Sequence, residues 1–207
     1  MSAKDLIANI KSQLTPQPPH FLTQVEAASL PSASLWKVVV NQRAILASDH
    51  ISFLTLAKRF PAASDFFEFL AAGELHAMQL LERFATQLGE EPANLEPHPL
   101  AQCYPHYLSW LAAQGTLVDV LVAMVTNLEE WGLYCRRLAA ALRDGYRLED
   151  VEFFAFFGAD SGLEEKVLPL LEEELRKQSG AQVATSATQA AKFLHRYEGL
   201  FWESLLT

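Results

Sequence analysis

The sequence predicts an all-α bundle of about seven or eight helices, one domain over residues 1–207. Three observations point there. Apolar residues recur at i, i+3 and i+4, as in Leu6, Ile7, Ile10 and Leu14, or Leu194, Tyr197, Phe201 and Leu205, the spacing of a buried stripe on a helix. Helix-stopping residues separate the segments: Pro18-Pro19, Pro31, Pro61, Gly89 and Gly115. No period of 20–50 residues recurs, which sets a solenoid aside.

Taken in order, residues 3–14 read as a short amphipathic helix with Ser2 as its N-cap. Thr15-Pro16-Gln17-Pro18-Pro19 breaks the chain. His20 to Ala28 forms a second short helix, closed by Leu30-Pro31. A long helix starts at Ser32 and runs to about Phe60, before Pro61. Arg43 follows Val39 by four residues and precedes Leu46 by three on its apolar face, a spacing that aims Arg43 inward. Ser64 caps a helix to Leu88, with Asp65 and Glu68 in the first turn, where the dipole favours carboxylates, and Gly89 just past the end.

Glu90 to His98 is a loop, and Pro99 to Gln114 the next helix; Pro105 must lie in its first turn or bend it. Leu117 to Leu142 is the most buried helix, because residues 117–125 are apolar apart from Asp119. Asp144-Gly145 reads as a turn. Leu148 to Gln178 is helical with a break between Gly158 and Gly162, Ser179-Gly180 ends it, and Thr185 or Ser186 starts the closing helix.

Composition excludes several functions. A net charge of −9 argues against nucleic acid as a partner, since phosphate binding needs clustered Lys and Arg. No apolar run reaches the roughly 18 residues of a membrane span, and Met1 to Leu14 has no apolar stretch of the secretory kind. The two cysteines, Cys103 and Cys135, form neither a ligand-spaced array nor a disulfide framework. The expectation is a cytoplasmic protein that contacts neither membrane nor nucleic acid.

The closing helix carries Tyr197-Glu198-x-x-Phe201-Trp202, and Pro99-x-x-x-x-Tyr104-x-x-x-Leu108 lies upstream. Together with the aromatic helix, Leu-Pro break and Gln42 of the His20–Gln42 segment, these residues resemble the TenA family, which comprises thiaminase II and its relatives on a haem-oxygenase-like fold. The resemblance spans nearly the whole chain. It implies a homo-oligomer, dimer or tetramer, and a pocket for a thiamin-related or other aromatic heterocycle. It makes Glu198 a catalytic acid/base, and an acid in an aromatic pocket has its pKa raised toward neutrality by desolvation.

Other family positions differ. The family's Pro-Cys-x-Trp-x-Tyr, which supplies a nucleophilic Cys, has no thiol here: alignment on Tyr134 puts Glu130 at that place, and alignment on Trp131 puts Glu129 there. Two facing carboxylates, Glu198 and Glu130, would share a proton and support hydrolysis without a covalent intermediate. Tyr104, Tyr134, Glu129 and Phe157 are expected to line the substrate pocket, Phe156 or Phe157 replacing a family Tyr. Arg43 stands where the family has an Asp that accepts from an aminopyrimidine. Arg can only donate, so a pocket holding Arg43 would prefer an anionic or acceptor-rich ligand.

Two other readings compete. The diiron or manganese oxidases of the same fold would need a ligand set such as Glu74 or His76, Glu130, Asp160 and Glu164. The few histidines on those helices argue against it, and His20 and His50 are poor candidates for haem, so neither cofactor nor metal is expected. A non-catalytic regulatory or interaction protein on the same bundle is the third reading, although the acidic charge speaks against direct DNA contact.

Overall fold

A computed structural model describes residues 2–14, 17–160, 162–177 and 181–207. The described residues form nine α-helices and two 3-10 turns, with no strand. The helices are α1 (Ala3–Gln13), α2 (His20–Glu26), α3 (Trp36–Arg59), α4 (Ser64–Thr86), α5 (Cys103–Gln114), α6 (Leu117–Tyr146), α7 (Glu152–Gly158), α8 (Leu163–Lys177) and α9 (Ala181–Ser204). The architecture is therefore the all-α bundle the periodicity calls for. The breaker at Thr15-Pro16 and the Gln178-Ser179-Gly180 end lie outside the described residues.

Local chemistry explains most boundaries. Ser2 caps α1 in a reciprocal capping box with Asp5. Asp119, the one acid in the apolar opening of α6, belongs to a second such box: Thr116 accepts from the Asp119 N–H and Asp119 from the Thr116 N–H. The 3-10 turn Ser32–Leu35 leads into α3. Ser64 is the first residue of α4 rather than its cap, and its hydroxyl donates to Glu68 (2.8 Å). Helix α5 begins only at Cys103, which places Pro105 in its first turn, where no intrahelical N–H is needed.

Further boundaries differ from expectation, and α9 starts at Ala181, ahead of Thr185 and Ser186. Asp144-Gly145 is not a turn: α6 continues to Tyr146 and closes on Arg147, which takes the left-handed φ of 58°. Packing favours the extra turn, since the Tyr146 hydroxyl donates to the Leu30 carbonyl (3.0 Å) and a Cβ on Gly145 would lie 3.3 Å from Ala28 Cβ. Residues 148–151 stay outside α7, where Gln87 and Asp150 exchange bonds of 2.6 and 2.9 Å.

Helices α3 and α4, joined by the turn Pro61–Ala63, pack along one another, and α6 packs along α9. Their apolar faces build two clusters. One holds Ile10, Phe53, Phe67, Leu111, Leu121 and Val167; the other holds Phe21, Leu46, Phe84, Leu138, Phe154 and Trp202. Each such side chain contributes about 1.5–3 kcal/mol when fully buried. Tyr104 and Leu128 pack against both clusters. Between them the same four helices bury polar groups: Gln42 and Asp49 on α3, Glu74 on α4, Asn127 on α6 and Glu198 on α9.

Candidate active site

This polar belt encloses a narrow chamber of about 40 Å³, roughly the space of a few water molecules. Asp49, Glu74 and Glu198 line it with Gln42, Asn127 and Tyr104, against apolar walls that include Leu128, Trp131 and Phe157. On α3 the inward residues are Gln42, Leu46, Asp49 and Phe53, one helical stripe. On α9 the buried stripe runs Leu194, Glu198 and Phe201, and Leu205 continues it just past the helix end. Glu198 therefore sits on the stripe itself, while Tyr197 turns aside, half-buried, and packs edge-on against Tyr107 (5.2 Å).

Glu198 is held rigidly. Trp202 Nε1 donates to its Oε1 (3.0 Å), and Asn127 Nδ2 donates to its Oε2. The Trp202 ring packs on Trp131 and Tyr134, at 5.3 and 5.8 Å. Burial pushes the Glu198 carboxyl up to about 8, helped by the charge of Glu130 and opposed by the Trp202 and Asn127 bonds and by His195. Burial likewise lifts Glu74 to about 8. Asp49 rises well above the usual carboxylate range through burial and then the charge of Glu74, and its Oδ1 has no hydrogen-bond partner. Burial raises the Tyr104 phenol too, reinforced by the carboxylates around it.

The residues singled out in the sequence are distributed unevenly. Glu198, Tyr104 and Phe157 reach the chamber. Arg43 does not: it lies at the edge of the buried arc of α3, and its long side chain reaches outward. There it donates to Glu82 through Nε and Nη2 (2.7 and 2.8 Å) and to Glu91 through Nη1 (2.8 Å). The inward guanidinium and the acceptor-rich ligand inferred from it are thereby corrected, since acids line the chamber without a cation among its lining residues. Glu129 is exposed and paired with Lys11.

Glu130 and Tyr134 meet each other outside the chamber. The Tyr134 hydroxyl donates to Glu130 (2.6 Å) and lies 3.0 Å from the Gln17 carbonyl, while His195 Nδ1 is 2.7 Å from Glu130. Glu130 thus acts on Glu198 through its charge rather than across a shared cavity. Cys135 is fully buried, and burial pushes its thiol up, the reverse of what activates a nucleophile. The acids of the oxidase reading are not gathered: among the described residues no group of three His, Cys, Asp or Glu side chains could hold a metal. Glu164 pairs with Lys11 instead (2.7 Å), and Asp160 accepts from the Gly162 N–H (3.0 Å).

No motif in the sequence marks Asp49 or Asn127, Gln42 belongs only to the entry segment, and Glu74 only to the oxidase ligand set. Their signal is a polar residue on an apolar stripe: Asp49 three after Leu46 and four before Phe53, Glu74 three after Ala71 and three before Ala77.

The arrangement of the helices, rather than the chamber, defines the class. It is the haem-oxygenase-like fold: a domain of unknown function with that fold from Shewanella denitrificans superposes with a TM-score of 0.72 at 15% identity, over 98% of this chain and 90% of that one. TenA homologues share this fold. A TenA homologue from Pyrococcus furiosus matches with a TM-score of 0.76 and 19% identity over 99% of this chain and 100% of that one. Another from Pseudomonas syringae matches at 0.75 and 14%, over 99% and 92%. No protein-family model and no curated protein matches the sequence. Among the described residues, no helix is long and apolar enough to cross a membrane.

Proposed function

We propose that this chain is a divergent TenA-like hydrolase acting on a thiamin-related or other aromatic heterocycle by carboxylate acid/base chemistry. The observation that supports it is the trio of buried acids, Asp49, Glu74 and Glu198, around one chamber whose other polar lining groups are Gln42, Asn127 and Tyr104. Unpartnered buried acids are costly, and a ligand with N–H donors relieves that cost. The ligand is therefore donor-rich or cationic. Asp49, with an unpartnered Oδ1, accepts from a ring amino group where the family uses the residue aligned with Arg43.

In hydrolysis, Glu198 is the acid. A carboxyl with a pKa near 8 still carries its proton at neutral pH and delivers it to the departing atom. The Asp49–Glu74 pair shares protons, and its ionised member takes the proton of the attacking water as the water oxygen bonds to the substrate carbon. The water itself is the nucleophile, so no thiol is required. The same reading carries one domain, a homo-oligomer and a cytoplasmic setting, which suits two unpaired cysteines.

The test is a melting screen of aminopyrimidines and related amino-heterocycles, followed by turnover assays on any that stabilise the protein. Glu198→Gln is expected to lower kcat by roughly 10²- to 10⁴-fold with KM little changed, and Asp49→Asn to weaken binding about tenfold or more. Full activity in Glu198→Gln would sink the mechanism; ligand binding indifferent to Asp49→Asn would remove the anchor.

A further inference from the structure

A second cavity of about 840 Å³ opens to solvent next to the chamber, and the two share Glu74, Leu128, Trp131 and Phe157 as walls. Its size falls within the range of sites for whole organic ligands, about 300–1,000 Å³. The inner chamber of about 40 Å³ takes a ligand's head at most. The outer walls are largely aromatic and aliphatic, including Phe69, Leu70, Val125, Phe156 and Leu163.

The glycines here differ in purpose. On Gly132 a Cβ would stand 3.0 Å from the Phe157 carbonyl, and on Gly158 it would stand 2.7 Å from Arg136 Cγ, so helix packing itself demands both. On Gly73, in the middle of α4 and on the wall of the outer cavity, a Cβ would meet only Phe156 Cζ, at an ordinary 3.8 Å. A mid-helix glycine weakens a helix relative to alanine, and no protein contact requires this one. What it leaves is room in the cavity.

Most charges at the rim are engaged already, and the His76 ring packs edge-on against Phe156 (5.2 Å). Lys11 bridges Glu129 and Glu164, Arg136 donates to the Gly158 carbonyl (2.8 Å), and Asp160 accepts from the Gly162 N–H. The rim is thus poorly suited to recognise a charged group.

We infer that the outer cavity holds an uncharged apolar extension of the ligand whose donor-rich head enters the inner chamber, so that the site takes a two-part molecule. This rests on the carboxylate-chamber reading above and adds what lies beyond the head. The shared walls, Glu74, Leu128, Trp131 and Phe157, mark where the two parts are joined.

Calorimetric titration of the full chain with benzamidine, 4-butylbenzamidine and 4-hexylbenzamidine tests it. The amidinium is a planar donor for Asp49, and the alkyl chain reports on the outer cavity. Affinity is expected to rise about two- to fourfold per methylene. Gly73→Leu should abolish most of that rise while leaving benzamidine itself within about twofold, and Asp49→Asn should weaken the whole series. If Gly73→Leu fails to fold, Phe156→Trp narrows the same cavity from the facing wall. Benzamidine binding with no dependence on chain length, or a chain-length gain that survives in the cavity-filling variants, would overturn the inference and leave the carboxylate anchor standing. Failure of benzamidine, with 4-hexylbenzamidine sensitive to Gly73→Leu and indifferent to Asp49→Asn, would instead overturn the anchor and with it the two-part assignment.

Discussion

Glu74 is one residue whose charge state links the chamber to the stability of the fold. It is buried, and that burial pushes its carboxyl up to about 8 in the folded chain from an ordinary 4.5. Between those values the unfolded chain has lost this proton and the folded chain keeps it. The folded state therefore binds more protons, and stability falls as pH rises from about 4.5 to about 8. Glu74→Gln removes the titration while keeping the shape. It is expected to be nearly silent in melting temperature at pH 5 and stabilising at pH 8, by about 2–4 °C for each kcal/mol recovered. A lowered melting temperature at pH 8 would mean that the ionised carboxylate has a partner worth more than its burial costs.

At the scale of elements, close approach of helices determines which glycines are replaceable. Helix α7 lies on α6 so tightly that a Cβ on Gly158 would meet the Arg136 backbone at 3.1 and 3.2 Å as well as its Cγ. The arginine side chain can rotate away, but its backbone cannot, so α7 must shift. Gly158→Ala should destabilise by about 1–3 kcal/mol, read as a lower urea midpoint at unchanged slope. Gly73→Ala, in a helix of the same bundle, should be neutral or stabilising by up to about 1 kcal/mol. Equal effects of the two would show that helix propensity, not the α6–α7 contact, governs both.

Across the whole molecule, helices α3, α4, α6 and α9 each contribute to both apolar clusters, and Tyr104 and Leu128 touch both. Neither cluster keeps its walls if the other comes apart. Urea unfolding is expected to follow one transition, with far-ultraviolet circular dichroism and tryptophan fluorescence coincident. Separated midpoints would divide the chain into two units and withdraw the single-domain proposal. Ligand should move both signals together, by the logarithm of its concentration over Kd.

Helix identity was legible from residue spacing because amphipathic periodicity is a local property. Leu6 to Leu14, the apolar start of α6 and the stripe of α9 bury the residues their spacing marks, with Tyr197 the partial exception. Capping is local as well, and Ser2 was readable without any tertiary contact. Glu198 was legible for a different reason: it stands among aromatics in a TenA-like motif. Direction at the edge of a stripe was not legible. Arg43 is one residue from Gln42, about 100° around the helix, and the position of Glu82 and Glu91, 39 and 48 residues away, turns it outward. The pairing of Glu130 with His195 spans 65 residues and is equally invisible to spacing.

The sequence by itself determined the helices, their order and the presence of an acid in the closing one, since these depend on propensity, caps and periodicity over a few turns. Only the tertiary structure decided that Asp49, Glu74 and Glu198 face one chamber and that Glu129, Glu130 and Arg43 do not. Which acids converge depends on how four helices are rotated about their axes, and that rotation is chosen by the packing of two cores, not by any local stretch of chain.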